Sequence, residues 1–206
     1  MKRTLLIMSA LGAVAVANAQ PTTFIDLGTI NSISNDYNVA DLSVIAPVNG
    51  SAITWYRFNL AQATGSVGPY FDIDLFATGT TAQLDTEIGV YNNLGNMVAN
   101  DDDDGHSLRS ALTFGNTTTR IMPPDPFGFT NGVNANGRDG NLGVGTYWLA
   151  VSNFSTTHGT TNWNVTSTGT AQGTVQVNFR TDAVPEPATM AVLGLGLAAM
   201  ARRRRK

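Results

Sequence analysis

The sequence predicts an all-β domain over residues 20–183, a two-sheet antiparallel β-sandwich of jelly-roll-like type. Three observations predict it. Val, Ile, Thr and aromatic residues fill the intervals between closely spaced Gly and Asn, and almost nothing there has helical period. Several intervals alternate apolar and polar residues with a period of two, so that one strand face packs and the other meets water. The long apolar runs without this pattern lie at the two extremities, each beside basic residues.

In chain order, residues 1–19 read MKRTLLIMSALGAVAVANA. Lys2 and Arg3 give a positive start, Leu5 to Val16 an apolar run, and Ala17-Asn18-Ala19 a site with small side chains at both positions that a signal-peptidase pocket restricts. This segment reads as a signal peptide, removed by signal peptidase before Gln20.

Strands are expected near 24–30 and at 54–60, where Tyr56, Phe58 and Leu60 alternate with Arg57 and Asn59. In 70–77, Phe71, Ile73 and Leu75 oppose Asp72 and Asp74. Asn92-Asn93-Leu94-Gly95-Asn96 separates 87–91 from 97–99 as the turn of a tight hairpin. Further strands follow at 111–114, at 145–154 with Tyr147, Leu149 and Val151 on one face, and at 173–180 with Val175, Val177 and Phe179 on one face. These make about eight strands, enough for two packed sheets. Residues 116–141, rich in Pro, Gly and Asn, read as a long surface loop, and 156–170 as a second polar connection.

The last residues read VPEPATMAVLGLGLAAMARRRRK. Pro185 and Pro187 hold the chain extended around Glu186. An uncharged run over 188–201 follows, then Arg202, Arg203, Arg204, Arg205 and Lys206. As a helix the run would rise roughly 21 Å against a hydrocarbon core of roughly 30 Å, and arginines snorkelling to the headgroups make up part of the gap. The basic end stays on the cytoplasmic side, so a short transmembrane helix at 188–201 leaves the domain outside.

With both ends set aside, charge narrows the function. Between Gln20 and Ala183 stand five arginines (Arg57, Arg109, Arg120, Arg138, Arg180), no lysine and fourteen acids, a net of −9. Such a domain repels nucleic acid and anionic lipid, which need a basic surface. With Cys 0, no disulfide supports it, and burial alone must hold the fold.

Pro185-Glu186-Pro187, the apolar run and the arginine cluster, in that order, resemble the PEP-CTERM sorting signal over 184–206. The resemblance implies recognition by an exosortase, a membrane transpeptidase-like enzyme that cuts near the tripeptide. It also implies association with biofilm and exopolysaccharide in Gram-negative bacteria. In that role these residues are substrate, not catalyst.

A second resemblance spans about 60–180. Asp85-Thr86, Tyr91, Gly95, Asn100-Asp101-Asp102 and Gly145-Thr146-Tyr147, with Tyr56-Arg57-Phe58 before them, resemble the bacterial pre-peptidase C-terminal (PPC-like) β-sandwich. It implies the same two-sheet architecture.

Asp101-Asp102-Asp103-Asp104-Gly105-His106 is the densest charge in the chain. Calcium takes such oxygen ligands from a turn, with Asp85, Glu87 or Asp72 to complete the set; a solvated acidic turn is the competing reading. Zinc has only His106 and His158 to draw on. Ser107 follows His106, but there is no Gly-x-Ser-x-Gly and no carboxylate pair stands out, so no catalytic residue is assigned. Trp55, Trp148 and Trp163 are candidates for stacking on sugars, Trp148 being out of phase with its apolar neighbours and expected to face outward.

The expectation is therefore an exported, non-enzymatic cell-surface or extracellular-matrix protein, first anchored in the inner membrane, serving adhesion, matrix structure or exopolysaccharide contact. A calcium-dependent carbohydrate-binding module and a secreted hydrolase or its accessory module are the alternatives. No cofactor is expected beyond the calcium of the acidic turn.

Overall fold

β-Branched and aromatic residues build thirteen strands in the computed structural model, which describes residues 19–33, 36–79, 84–127 and 133–182. They are β1 (Ile25–Ile30), β2 (Leu42–Asn49), β3 (Thr54–Leu60), β4 (Tyr70–Ala77), β5 (Thr86–Asn92), β6 (Met97–Asp101), β7 (Ala111–Gly115), β8 (Arg120–Ile121), β9 (Asn134–Ala135), β10 (Gly145–Asn153), β11 (Thr156–His158), β12 (Val165–Ser167) and β13 (Gln172–Thr181). A five-stranded sheet runs β1-β3-β10-β5-β6 and a four-stranded sheet β2-β13-β4-β7, with two small hairpins, β11-β12 and β8-β9. The expected sandwich is present. One pairing departs from the antiparallel rule: β1 runs parallel to β3. The chain crosses to the other sheet for β2 and returns, so its direction reverses twice between the two strands.

The core forms where the inner faces meet. Tyr56, Phe58, Leu149, Val151, Ile88 and Val90 of one sheet pack against Val175, Val177, Phe179, Phe71, Ile73 and Leu112 of the other. Phe58 sits near the centre, with ring centroids 5.3 Å from Phe71 and 5.9 Å from Tyr147. Full burial of one such side chain stabilises by about 1.5–3 kcal/mol.

β2 has no counterpart among the strands expected from the sequence. It contains Pro47, which cannot donate to a ladder and is tolerated only at a sheet edge. β2 is that edge: it pairs with β13 alone, Pro47 lying opposite Thr174.

The outer faces differ from expectation. Period two places Asp72, Asp74, Asn178 and Arg180 opposite the core, as read, but this face is not wet: Asp72, Asp74 and Asn178 are wholly buried and Arg180 nearly so. The described parts of the segment 116–141, namely 116–127 and 133–141, are more than a surface loop. They carry β8 and β9, bury Met122 and Ala135 beside Ala111, and bring Arg120 onto Asp72, while His106 lies over Asp74. Polar residues on a strand were read as exposed because alternation reports the face and not what lies on it.

The five-stranded sheet is covered in the same way. Residues 156–170 form the β11–β12 hairpin rather than a plain polar connection. Trp148 does face away from the core, yet it is fully buried in a second cluster with Tyr91, Ala150, Phe24, Trp55 and Trp163. It is not an exposed platform.

The signal-peptide run, Ala17 included, and the whole of 184–206 lie outside the described residues. Among the described residues no helix is long and apolar enough to cross a membrane.

Candidate functional site

The acidic turn joins β6 to β7. Asp101, its first carboxylate, is almost buried and binds its own loop: Oδ2 accepts from the backbone N–H of Asp104 at 3.1 Å and of Ala111 at 2.7 Å. It closes the turn, and burial pushes its pKa up. Asp104 points outward to Arg138, 3.2 Å away. Two of the five carboxylates expected to hold a metal are therefore engaged elsewhere.

The other three gather. One oxygen each from Asp85, Asp102 and Asp103 lie within 4.8 Å of one another. Asp85 reaches this position because it ends the connection into β5, next to the β6 end from which Asp102 and Asp103 follow. Its own carbonyl accepts from Phe154 N–H at 3.0 Å, which fixes the backbone. Oδ1 of Asp85 and Oδ1 of Asp102 are shielded from solvent without a hydrogen-bond partner. Burial raises the pKa of both, and the charge of Asp103 adds to it. Hard oxygen donors with unsatisfied lone pairs, crowded by like charge, are what a calcium ion relieves, with water completing its 6–8 ligands.

Glu87 stands nearby but is occupied, its Oε1 accepting from Thr156 N–H at 3.0 Å. Asp72 lies on β4 of the opposite sheet, where Arg120 and the Tyr37 hydroxyl bind it. Neither completes the group.

The histidines do not share a site. His106 is wholly buried over the four-stranded sheet, edge-on to Phe76 with 5.0 Å between centroids, its Nε2 3.9 Å from Asp74 Oδ2. His158 lies over the five-stranded sheet, its Nδ1 3.3 Å from the Tyr91 hydroxyl. Burial lowers the pKa of each to about 4. The core separates them, so no two-imidazole zinc site exists among the described residues. Ser107 diverges from His106, standing exposed at φ 61°.

A set that alternation alone did not reveal is the buried ionic network under the 116–141 cover. Arg180 pairs with Asp74, Arg120 with Asp72 at 3.0 Å, and Arg109 with Asp125 at 2.9 Å. Arg120–Asp72 and Arg109–Asp125 tie the cover down, whereas Arg180–Asp74 joins two neighbouring strands of the sheet. The one available signal was numerical: four of the domain's five arginines follow the acid-rich strands and turns, and in a chain so poor in cations each was a candidate partner for a buried acid.

At the ends, Ala19 and Gln20 are exposed and precede β1. β13 ends at Thr181, and residues 183–206 match the PEP-CTERM protein-sorting motif. That match takes in Pro185, Glu186, Pro187 and Arg202 to Arg205. No curated protein matches the chain.

Proposed function

We propose that this chain is the precursor of a non-enzymatic cell-surface or extracellular-matrix protein whose β-sandwich is the cargo and whose ends are addresses. The PEP-CTERM motif at 183–206 carries the reading: it marks an exported protein handled by exosortase-type machinery. The motif begins directly after β13, the last strand of the sandwich, so a cut near Pro185-Glu186-Pro187 leaves every core strand in the product. The precursor is held in the inner membrane by 188–201 and the product passes to the surface or beyond, where adhesion or exopolysaccharide contact is its role. Burial of Trp148 moves any glycan contact from an aromatic platform to the Asn- and Thr-rich loops. The hydrolase alternative gains nothing from the histidines, one sealed beneath Phe76 and the other seated against Tyr91.

Mass spectrometry of the mature protein from its native host tests this. The expected product begins at Gln20 and lacks everything beyond the tripeptide. A chain intact at both termini would overturn it.

The convergence of Asp85, Asp102 and Asp103, two of them with unpartnered shielded oxygens, favours one addition: the sandwich takes a calcium ion at the end of β6.

A further inference from the structure

The end of the sandwich from which the sorting tail leaves can be mapped strand by strand. Thr181 closes β13 opposite Phe71, and its N–H donates to Asp41 Oδ2 at 2.7 Å. The other oxygen of the same carboxylate accepts from Ile33 N–H at 2.7 Å, which sets the β1–β2 connection beside the exit. Tyr70 opposes Gly115, and Gly115 N–H donates to Gly140 O at 2.8 Å, which brings in the segment leading to Val144 and β10. Thr64 N–H donates to Leu142 O at 2.8 Å, which adds the β3–β4 connection carrying Val67. Gly145 opposes Leu60 and Tyr147 opposes Asn92, so the β5–β6 hairpin tip with Leu94 lies at this end too.

The apolar residues on these loops are the most exposed large hydrophobics among the described residues: Val67 at 95%, Leu94 at 74%, Ile33 at 73% and Val144 at 66%. Single exposed apolar residues need no explanation, but four loop tips gathered at one end of a sandwich form a surface suited to an apolar medium. The tail states which medium. Ala188, where the uncharged run begins, is six residues beyond Asp182, so it starts within roughly 20 Å of the strand end however those residues are arranged. The domain's net charge of −9 leaves apolar contact, not attraction to anionic headgroups, as the means of attachment.

We propose that, while the tail is attached, this end of the domain rests on the lipid surface with Val67, Leu94, Ile33 and Val144 dipping into the headgroup–acyl boundary. The precursor is thereby oriented, with the tripeptide held at the membrane where a membrane enzyme can reach it and the Asp85–Asp102–Asp103 group at the membrane-distal end. Release of the tail removes the tether, and four small contacts alone do not hold the product. The proposal rests on the reading of 188–201 as a membrane anchor.

Because the chain has no cysteine, single thiols can report position. The full chain is exported in a Gram-negative host without the processing enzyme and reconstituted in phosphatidylcholine vesicles, carrying Val67→Cys, Leu94→Cys, Val144→Cys or, at the opposite end, Thr170→Cys. Each is labelled with a fluorophore, and quenching by shallow nitroxide-labelled lipid is measured. The expected result is at least about twofold stronger quenching at 67, 94 and 144 than at 170, since interfacial insertion reaches only about 5–10 Å. Protein that floats with the vesicles but is quenched equally at both ends overturns the orientation and spares the anchor. Protein that does not float overturns both. Shielding at 67 that grows with protein density at constant lipid identifies a second copy as the partner and also overturns the proposal.

Discussion

The guanidinium of Arg109 and the carboxylate of Asp125 meet at 2.9 Å with neither side chain reaching solvent. One residue comes from the acidic β6–β7 turn, the other from the segment that covers the four-stranded sheet. The same Asp125 oxygen accepts from the Ala77 N–H at 2.8 Å, tying the cover to the end of β4. This pair pins the cover to the sheet.

Asp125→Ala is expected to destabilise the domain by about 1–3 kcal/mol or more, because it removes the carboxylate that binds both a buried cation and a strand N–H. Asp125→Asn keeps an acceptor for both and is expected to lose clearly less. Urea unfolding of the three proteins checks this; equal midpoints for wild type and Asp125→Ala would show that the pin carries nothing.

The two buried histidines are expected to lower stability on acidification, in a window set by their own shifts. Burial holds His158 and His106 neutral down to about 4, against 6.5 for the free side chain. Between these values the unfolded chain binds more protons than the folded one, so stability rises with pH across the window and is lost as pH drops through it. Asp72, raised to about 6 by burial, and Asp101, likewise raised by burial, act with the opposite sign over part of the range. Comparing variants at matched pH isolates the histidine: His158→Gln is expected to narrow the difference in melting temperature between pH 7 and pH 4.5. An unchanged difference would contradict the assignment.

The β11–β12 hairpin is seated on glycines. A Cβ at Gly89 would stand 2.4 Å from His158 Nδ1, and one at Gly95 2.4 Å from Trp163 Cε3. Gly95 also has φ +79°, which a side chain resists. Gly95→Ala is expected to cost about 1–3 kcal/mol and to lift Trp163 from its seat. A red shift and stronger acrylamide quenching of tryptophan emission report it; unaltered emission would mean that the ring has room to move aside.

Millimolar calcium is expected to raise the melting temperature. At a concentration a hundredfold above the dissociation constant the gain is about 2.7 kcal/mol, and chelator reverses it. Asp102→Asn should abolish the shift, whereas Asp104→Asn should keep it, since Asp104 faces Arg138 and not the group. No shift in the wild type would leave the turn a solvated one.

Two levels of information separate in this protein. The sorting motif at 183–206 was legible because it is linear: a proline pair, an apolar run and an arginine cluster in fixed order need no tertiary structure to be read. Alternation likewise revealed which residues of β3, β4, β10 and β13 face the core, since the period of a strand is a property of the backbone alone. β2 was not legible in the same way: it contains Pro47, and only the rest of the sheet decides whether such a strand is an edge.

What lies upon each face came from tertiary structure alone. Asp72, Asp74 and Arg180 alternate like exposed residues and are buried, because Arg120 from a distant segment folds onto Asp72, and Asp74 and Arg180 of neighbouring strands pair beneath His106 and Tyr37. Asp85 joined Asp102 and Asp103, while Asp101 and Asp104 turned to backbone and to Arg138, for the same reason. A carboxylate's partners are set by distances in space, and four adjacent aspartates in sequence carry no record of which oxygen points where.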